Sequence, residues 1–332
     1  MEQSQQWLPA THDTLLEVVG PDALKFLQGQ TSANFANAQP MDVRQGAFCD
    51  IKGRVLCDFL ALVVSVERVL LRISGDLAPV MQEHLKKYLM FAKADLISSQ
   101  LTPFGALPKA TPKAMPQDAE AAPENTAIEN NKERLSMPFA GAGQAIEGGF
   151  SIPMEQGAAE VFIAPNADHG FNSEQEEASA DTWQTLNILL GLARVRAATS
   201  GNYLPQDLNF DLNGFIDFKK GCYTGQEIIA RLHWRGTPKR RLYLAGSDAP
   251  APAPGTPLTT NIEGKVLGSV VNAASWPCDR LRDWIDLRGT WTTSELTHCR
   301  ALLLIETTED GLSRGLRYDG SSADLVTIST QP

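Results

Sequence analysis

One stretch of this sequence concentrates residues that could do chemistry, the nonapeptide 219–227, which reads Lys-Lys-Gly-Cys-Tyr-Thr-Gly-Gln-Glu. Thr224 and Glu227 have the spacing of a capping box, which predicts a helix that starts at Gly225. Cys222 would then lie just before a helix N-terminus and after two lysines, where a negative charge is favoured. The pattern therefore predicts a reactive thiol at Cys222.

Two glycines and the remaining cysteines bear on that prediction. Gly221 and Gly225 indicate a backbone that bends sharply or lets another group approach closely. Free cysteines are commonly buried and inert, and we expect this of the others. Because the five cysteines are an odd number and form no CxxC pair, neither a disulfide framework nor a metal site is expected. The other four cysteines are Cys49, Cys57, Cys278 and Cys299.

The window 217–241 is basic within an acidic chain. The 332 residues carry a formal net charge of −10, which argues against a dedicated nucleic-acid-binding protein. The window itself holds seven Lys and Arg residues against two acidic ones, with Tyr223, His233 and Trp234 interleaved. This composition suits an anionic and planar partner, either a polyglutamylated pterin or an RNA.

The elements that must position these residues are a mixture of strands and helices, which indicates an α+β architecture. Apolar periodicity predicts helices that begin near Pro21 and that span 76–88 and 181–190. Strands are predicted at 15–19, 55–64, 69–73, 94–97, 160–165, 266–271 and 302–306.

Two changes in composition divide the chain. Residues 102–149 place prolines among Ala, Glu and Asn with few aromatic residues, which predicts a low-complexity, mobile insertion. The Ala/Pro run 248–255 predicts a domain boundary, beyond which 256–332 would form a small β-rich domain. No secretory signal and no apolar run near the ~20 residues of a spanning helix is visible, so we expect a cytoplasmic protein without a membrane partner.

Five segments together resemble one known family, the YgfZ family of tRNA-modifying, folate-binding proteins, which is related to the glycine-cleavage T-protein. The nonapeptide is the most specific of them, and the resemblance covers about residues 10–100 and 180–245. The segments are 20–31, 49–54, 197–201, 204–209 and 219–227.

The resemblance implies a fold, a cofactor and partners. The fold would consist of two interleaved α/β domains, 1–101 and 150–247, plus a C-terminal β-barrel, arranged around a central channel. The cofactor would be tetrahydrofolate or another folate. The partners would be iron–sulfur enzymes or their assembly machinery, with tRNA reached indirectly. The implied function is that of an accessory protein for assembly or repair of iron–sulfur enzymes, including those that methylthiolate tRNA.

The resemblance also implies site residues. Trp183 falls where the family carries a folate-contacting tryptophan, and a flat indole suits a pterin ring. A second family tryptophan is replaced near Asp13. At the positions of two adjacent aspartates of the T-protein, this sequence has Cys57 and Asp58. Asp58 is therefore a second candidate catalytic residue after Cys222. The other folate-binding candidates are Lys220, Tyr223, Gln226, Glu227 and Arg231.

Two alternatives stay open. The first is a folate-dependent transferase of an aminomethyl or methyl group, which the loss of the second aspartate disfavours. The second is a non-catalytic module whose basic window docks an RNA or a protein, which the isolated cysteine disfavours. The sequence leaves open whether Cys222 is a nucleophile, a redox sensor or a transient cluster ligand.

Overall fold

In the computed structural model of the chain, the described residues are 5–108, 139, 141–154, 157–165, 176–260, 265–276, 299–319 and 325–329. Within these ranges the α-helices are α1 (Ala23–Gln30), α2 (Ala78–Leu89), α3 (Glu176–Leu189), α4 (Gln226–Arg235) and α5 (Glu309–Ser313). The strands are β1 (Gln5–Pro9), β2 (Asp13–Val19), β3 (Val43–Cys49), β4 (Val55–Ser65), β5 (Arg68–Ser74), β6 (Asp95–Ser98), β7 (Thr102–Pro108), β8 (Gln144–Ile146), β9 (Gly149–Pro153), β10 (Ala159–Ile163), β11 (Arg241–Ser247), β12 (Pro257–Thr260), β13 (Val266–Ser275), β14 (Ala301–Thr307), β15 (Leu316–Arg317) and β16 (Val326–Ser329).

The first sheet is antiparallel, with the order β3-β4-β5-β2-β6. Its strand β4 is buried along most of its length, as a continuous apolar run predicts. The strands predicted at 15–19, 55–64 and 69–73 are confirmed, as is the helix predicted at 76–88, which follows a short 3₁₀ turn as α2. The mixed α+β class is therefore confirmed.

The second sheet is also antiparallel, with the order β1-β7-β10-β9-β8. The chain contributes β1 to this sheet, passes through all of the first sheet, and returns with β7. The insertion predicted at 102–149 is wrong at both ends, because β7 and β8 are strands there. The reason is local packing, since Phe104 and Ala106 on β7 are buried with Val161 on β10. Residues 109–138 lie outside the described residues.

The third sheet has the order β15-β12-β13-β14-β11-β16 and is curled like half of a barrel. Register shifts in three of its pairings are the bulges that bend a sheet in this way. The boundary predicted at 248–255 is too late, because β11 pairs with β14 from Arg241 to Ser247 and so belongs to this sheet. No helix in the described part of the chain is both long enough and apolar enough to cross a membrane.

Candidate functional site

Three of the segments that resemble the family meet around the turn 50–54, which joins β3 to β4. The Arg54 guanidinium donates a hydrogen bond to the carbonyl of Asn202, 2.7 Å away. The side-chain amide of Gln206 donates to the carbonyl of Ile229 in α4, 2.9 Å away. Residues that are 148 and 23 positions apart in the sequence are thus fixed to one another.

The helix α4 begins through a glycine turn and not through the predicted capping box. Gly225 has φ 83° and ψ −2°, and the N–H of Gln226 donates to the carbonyl of Tyr223, as in a type II turn with glycine third. A Cβ on Gly225 would lie 2.4 Å from the carbonyl oxygen of Asp50. The prediction that Thr224 caps the helix is wrong, because the N-cap is Gly225 and no side chain makes the cap hydrogen bond.

The side chain of Lys220 fixes this loop to the C-terminal end of α1. Its buried ammonium donates hydrogen bonds to the carbonyls of Gln28, Thr31 and Ala33, at 2.8, 2.5 and 2.6 Å. These carbonyls lie at the C-terminal end of α1, where helix carbonyls lack intrahelical partners. Burial lowers the pKa of Lys220 to about 8. Because all three N–H donors are used here, the predicted roles of Lys220 as a thiolate partner of Cys222 and as a folate ligand are not supported.

Cys222 is the exposed cysteine of the described residues. Cys49, Cys57 and Cys299 are buried, as expected of inert cysteines, and burial raises the pKa of each thiol. Cys278 lies outside the described residues. A solute therefore reaches the thiol of Cys222 far more easily than the three buried ones.

The other nonapeptide residues divide by burial. Tyr223 is buried and its ring lies 4.9 Å from the Lys220 ammonium, whereas Gln226 is half-buried. Glu227 and Arg231 are exposed on the outer face of α4. Of these four side chains, the structure therefore exposes only the two charged ones, Glu227 and Arg231.

Trp183 lies elsewhere, in the wall of a small cavity between α3, the start of β2 and β13. The volume of the cavity is about 20 Å³. Trp183 is buried, and one face of its ring covers Gly105, where a Cβ would lie 2.1 Å from the ring. Neither Cys222 nor any other residue of the nonapeptide lines this cavity. The polar lining residues are Thr11, His12, Asp13, Gln184, Asn187, Arg194, Arg196 and Asn272.

Two buried polar atoms at this cavity make no hydrogen bond with any described residue, namely Asn187 Oδ1 and Arg194 Nε. Both side chains are more than nine-tenths buried. The Asn187 amide nitrogen is used, since it donates to the Trp183 carbonyl at 2.8 Å. Buried polar groups are nearly always paired, so an acceptor and a donor left over in one cavity indicate a place for water or for a ligand.

Behind the cavity is a buried cluster of charges. Arg194 Nη1 lies 2.8 Å from Asp58 Oδ2, and its Nη2 lies 2.9 Å from Asp13 Oδ1. Arg72 makes a two-pronged ion pair with Glu160, and its Nη1 lies 3.8 Å from Asp13. Three carboxylates and two guanidinium groups are therefore held together, and all of them except the slightly accessible Asp13 are buried.

Asp58 serves this cluster and is not open to a substrate. Its side chain is completely buried, its Oδ2 faces Arg194, and its Oδ1 accepts a 2.6 Å hydrogen bond from the Val195 N–H. Burial raises the pKa of Asp58, and Arg194 works in the opposite direction. This arrangement gives Asp58 a structural role, and the catalytic role predicted for it finds no support.

The sequence analysis did not identify Arg72, Glu160, Asn187 or Arg194. A usable signal was present for two of them. Arg72 and Glu160 are single charges inside the apolar strands Arg68–Ser74 and Ala159–Ile163. A charge in a strand that is buried on both faces requires a partner, and two such charges of opposite sign are natural partners.

Comparisons with known proteins give relatives for most of the chain, although no family model matches it. A tRNA-modifying protein YgfZ from Shigella dysenteriae serotype 1 is 30% identical over 257 residues, which are 74% of this chain and 73% of that protein. One from Klebsiella pneumoniae is 29% identical over 268 residues, covering 74% and 72%. A crystal structure of glycine cleavage system aminomethyltransferase T from Bartonella henselae superposes with a TM-score of 0.64 at 14% identity, covering 100% of this chain and 86% of that one, which shows a shared fold.

Proposed function

This chain belongs to the YgfZ family, and we propose that it is a cytoplasmic, folate-binding accessory protein for the assembly or repair of iron–sulfur enzymes. Those enzymes would include ones that methylthiolate tRNA, in keeping with the tRNA-modifying name of the relatives. The observation that carries the proposal is the cavity at Trp183, where a buried donor and a buried acceptor have no hydrogen-bond partner among the described residues.

The residues at this cavity fit a reduced pterin in their chemistry. A pterin edge carries both donors and acceptors, which could pair with Asn187 Oδ1 and Arg194 Nε, and its ring could lie against Trp183. The fit in size is incomplete. A volume of about 20 Å³ accommodates a water molecule, whereas ligand pockets measure roughly 300–1,000 Å³. Binding must therefore displace side chains at the outer end, where Thr11 is exposed and Gln184 is half-buried.

The chain's own residues would hold the cofactor, which would supply a carrier for a one-carbon unit. Arg194 is fixed by Asp13 and Asp58, so its Nε is oriented before any ligand arrives. We further propose that the two α/β domains interleave around a central channel that includes this cavity. Cys222, on a separate and exposed loop, would act toward a partner.

The transferase alternative is less well supported. The T-protein has two adjacent aspartates, one of which is needed for aminomethyl transfer. Here Asp58 is enclosed by Arg194 and Val195, and its neighbour Cys57 is a buried thiol. Neither group is placed to accept a proton from a bound substrate.

Calorimetric titration with tetrahydrofolate tests the proposal. Trp183→Ala and Asn187→Ser should each weaken binding about tenfold or more, since each removes one proposed contact. Trp234→Ala is the matched control, because that tryptophan is exposed and distant in the sequence, and it should bind as the wild type does. Equal affinity in a folded Asn187→Ser variant and in Trp183→Ala would contradict the site.

A second measurement tests the role of the thiol. Cys222→Ala should bind tetrahydrofolate normally and should fail to support a methylthiolating tRNA enzyme in cells. Cys49→Ala, which changes a buried thiol, is the control and should retain that support once its fold is verified. Full support from Cys222→Ala would remove this cysteine from the mechanism.

A further inference from the structure

The outer face of α4 and its flanks carry positive charge that the described structure does not neutralise. Arg231 and Arg235 on the helix, Lys219 before it and Lys239 after it are all exposed. Over the residues that the structure describes, none of the four forms a salt bridge. In a chain of net charge −10, such a concentration of free cations is unusual.

The remaining cations of the same basic window are used internally. Arg240 pairs with Glu306 at 2.8 Å and Arg241 pairs with Asp211 at 2.6 Å, while Lys220 is occupied by backbone carbonyls. The structure thus separates the seven cations into three that hold the fold together and four that face solvent. The four exposed cations need another explanation.

An aromatic group lies among the free cations. The rings of Phe218 and His233 are stacked with their centroids 3.7 Å apart and an interplanar angle of 14°. Trp234 meets His233 edge to face at 4.6 Å and is 69% exposed. An indole held by neighbouring rings and open to solvent is a preformed surface for stacking a further ring.

We propose that this face, which we call the α4 face (Lys219, Arg231, Trp234, Arg235 and Lys239), docks an RNA that has unpaired bases. The cations would contact its phosphates and Trp234 would stack with a base, which is how proteins bind single strands. The acidic remainder of the chain repels RNA, so the charge pattern also sets the orientation and brings the RNA to the side of Cys222. The proposal rests on the proposed function and names a partner for the same thiol.

An RNA explains the α4 face better than an acidic protein does. Both kinds of partner carry negative charges that would pair with the cations. Only an RNA with unpaired bases also offers a flat ring that can stack on an exposed aromatic side chain, whatever the base sequence. Glu227 is exposed one helical turn before Arg231, at ion-pair spacing, but the two form no salt bridge in the described structure, and one acid cannot balance four cations. An acidic protein or a polyglutamyl tail therefore becomes an outcome of the test.

Fluorescence anisotropy with a labelled RNA hairpin that has a seven-base loop tests the proposal on the full chain. Four phosphate contacts predict a slope of roughly −2.8 for log K against log salt, which is about a 50-fold loss of affinity from 50 to 200 mM. The double variant Arg231→Ala/Arg235→Ala should reduce that slope by about half. Trp234→Ala should weaken binding about 5- to 100-fold with the slope unchanged.

The chain offers a matched control in Lys87 and Phe91, an exposed cation and an 87% exposed aromatic residue at the end of α2. Lys87→Ala/Phe91→Ala should bind the hairpin as the wild type does, and a fully paired duplex of the same length should bind the wild type more weakly. Polyglutamate is added as a polyanion without bases. If it displaces the hairpin at equal charge, or if Trp234→Ala binds normally, the RNA proposal is overturned in favour of an acidic partner.

Tetrahydrofolate affinity, measured on the same samples, separates the two proposals. Intact folate binding together with absent RNA binding would overturn only the inference about the α4 face. Loss of RNA binding in Trp234→Ala with folate affinity retained would support it. Absent folate binding with RNA binding intact would overturn the cavity at Trp183 alone.

Discussion

Replacing Arg194 by methionine is the most informative single change to the buried charge cluster. Arg194 is the group that neutralises Asp58 directly, at 2.8 Å, and it shares Asp13, at 2.9 Å. Methionine preserves most of the side-chain length and removes the charge. The variant therefore leaves the carboxylate of Asp58 fully buried with one remaining partner, the Val195 N–H.

The magnitude follows from burial. Removing one member of a buried ion pair costs about 3–5 kcal/mol, because the other charge stays desolvated. Asp13 is slightly accessible and can be hydrated, so most of the cost comes from Asp58. We expect Arg194→Met to lower the free energy of unfolding by about 3–5 kcal/mol. The control Arg314→Met breaks the ion pair with Asp310, whose two side chains are 48% and 66% exposed, and should cost about 1 kcal/mol or less.

Urea denaturation at pH 7 measures these values, and a double-mutant cycle tests the cause. Asp58→Asn keeps an oxygen for the Val195 N–H and removes the stranded charge. In the Arg194→Met background it should restore about 1.5–3 kcal/mol, whereas on its own it should be destabilising. If the changes in unfolding free energy caused by the two substitutions add within about 0.5 kcal/mol, Asp58 is not the carboxylate that depends on Arg194.

Three further predictions concern the segments around the thiol. In the folded protein at neutral pH, Cys222 should be alkylated far faster than Cys49, because burial shields Cys49 and raises the pKa of its thiol. Peptide mapping after alkylation measures the two rates, and faster labelling of Cys49 would contradict the prediction. Gly225→Ala should lower the free energy of unfolding, measured by urea denaturation, by at least about 2 kcal/mol, because Gly225 has a positive φ and a carbonyl oxygen close to its Cα. The control Gly221→Ala should lower it by about 1 kcal/mol or less, because no atom lies within 4 Å of the added Cβ. Burial raises the pKa of Asp207 to about 6, so the contribution of this carboxyl group to stability should fall as pH rises from 4 to 7. Asp207→Asn should therefore gain up to about 3 kcal/mol relative to the wild type over that range, and parallel pH profiles of the two proteins would refute this.

The sequence predicted four of the five strands of the first sheet, all but Val43–Cys49, because their signals are local. A run such as Val55–Ser65 can be recognised as a buried strand from its own residues, and the helix after Pro21 has its own start signal. The strand Thr102–Pro108 was missed because its burial depends on partners elsewhere, Gln5–Pro9 and Ala159–Ile163. The composition of a segment does not reveal a partner strand that lies about a hundred residues away.

The site was predicted in part for a similar reason. The nonapeptide identified Cys222 and its glycines. However, the sequence Thr-Gly-Gln-Glu is compatible both with a capping box and with a glycine turn. The choice was decided by the carbonyl of Asp50, which approaches so closely that position 225 must be a glycine with positive φ. Lys220 was misplaced because the carbonyls that hold it lie at the end of α1 and in the residues just after it, about 190 residues earlier.

The two candidate centres are mechanically connected even though they do not share a cavity. Arg194 and Val195 hold Asp58 on β4, and the same segment continues to Asn202, which receives the hydrogen bond of Arg54 in the turn 50–54. That turn also carries the carbonyl against which Gly225 packs. Any widening of the cavity that shifts Arg194 would therefore act on a short covalent and hydrogen-bonded path that ends one turn from Cys222. The link between the cavity and the loop of Cys222 therefore runs through the chain and its hydrogen bonds, since none of the nonapeptide residues lines the cavity.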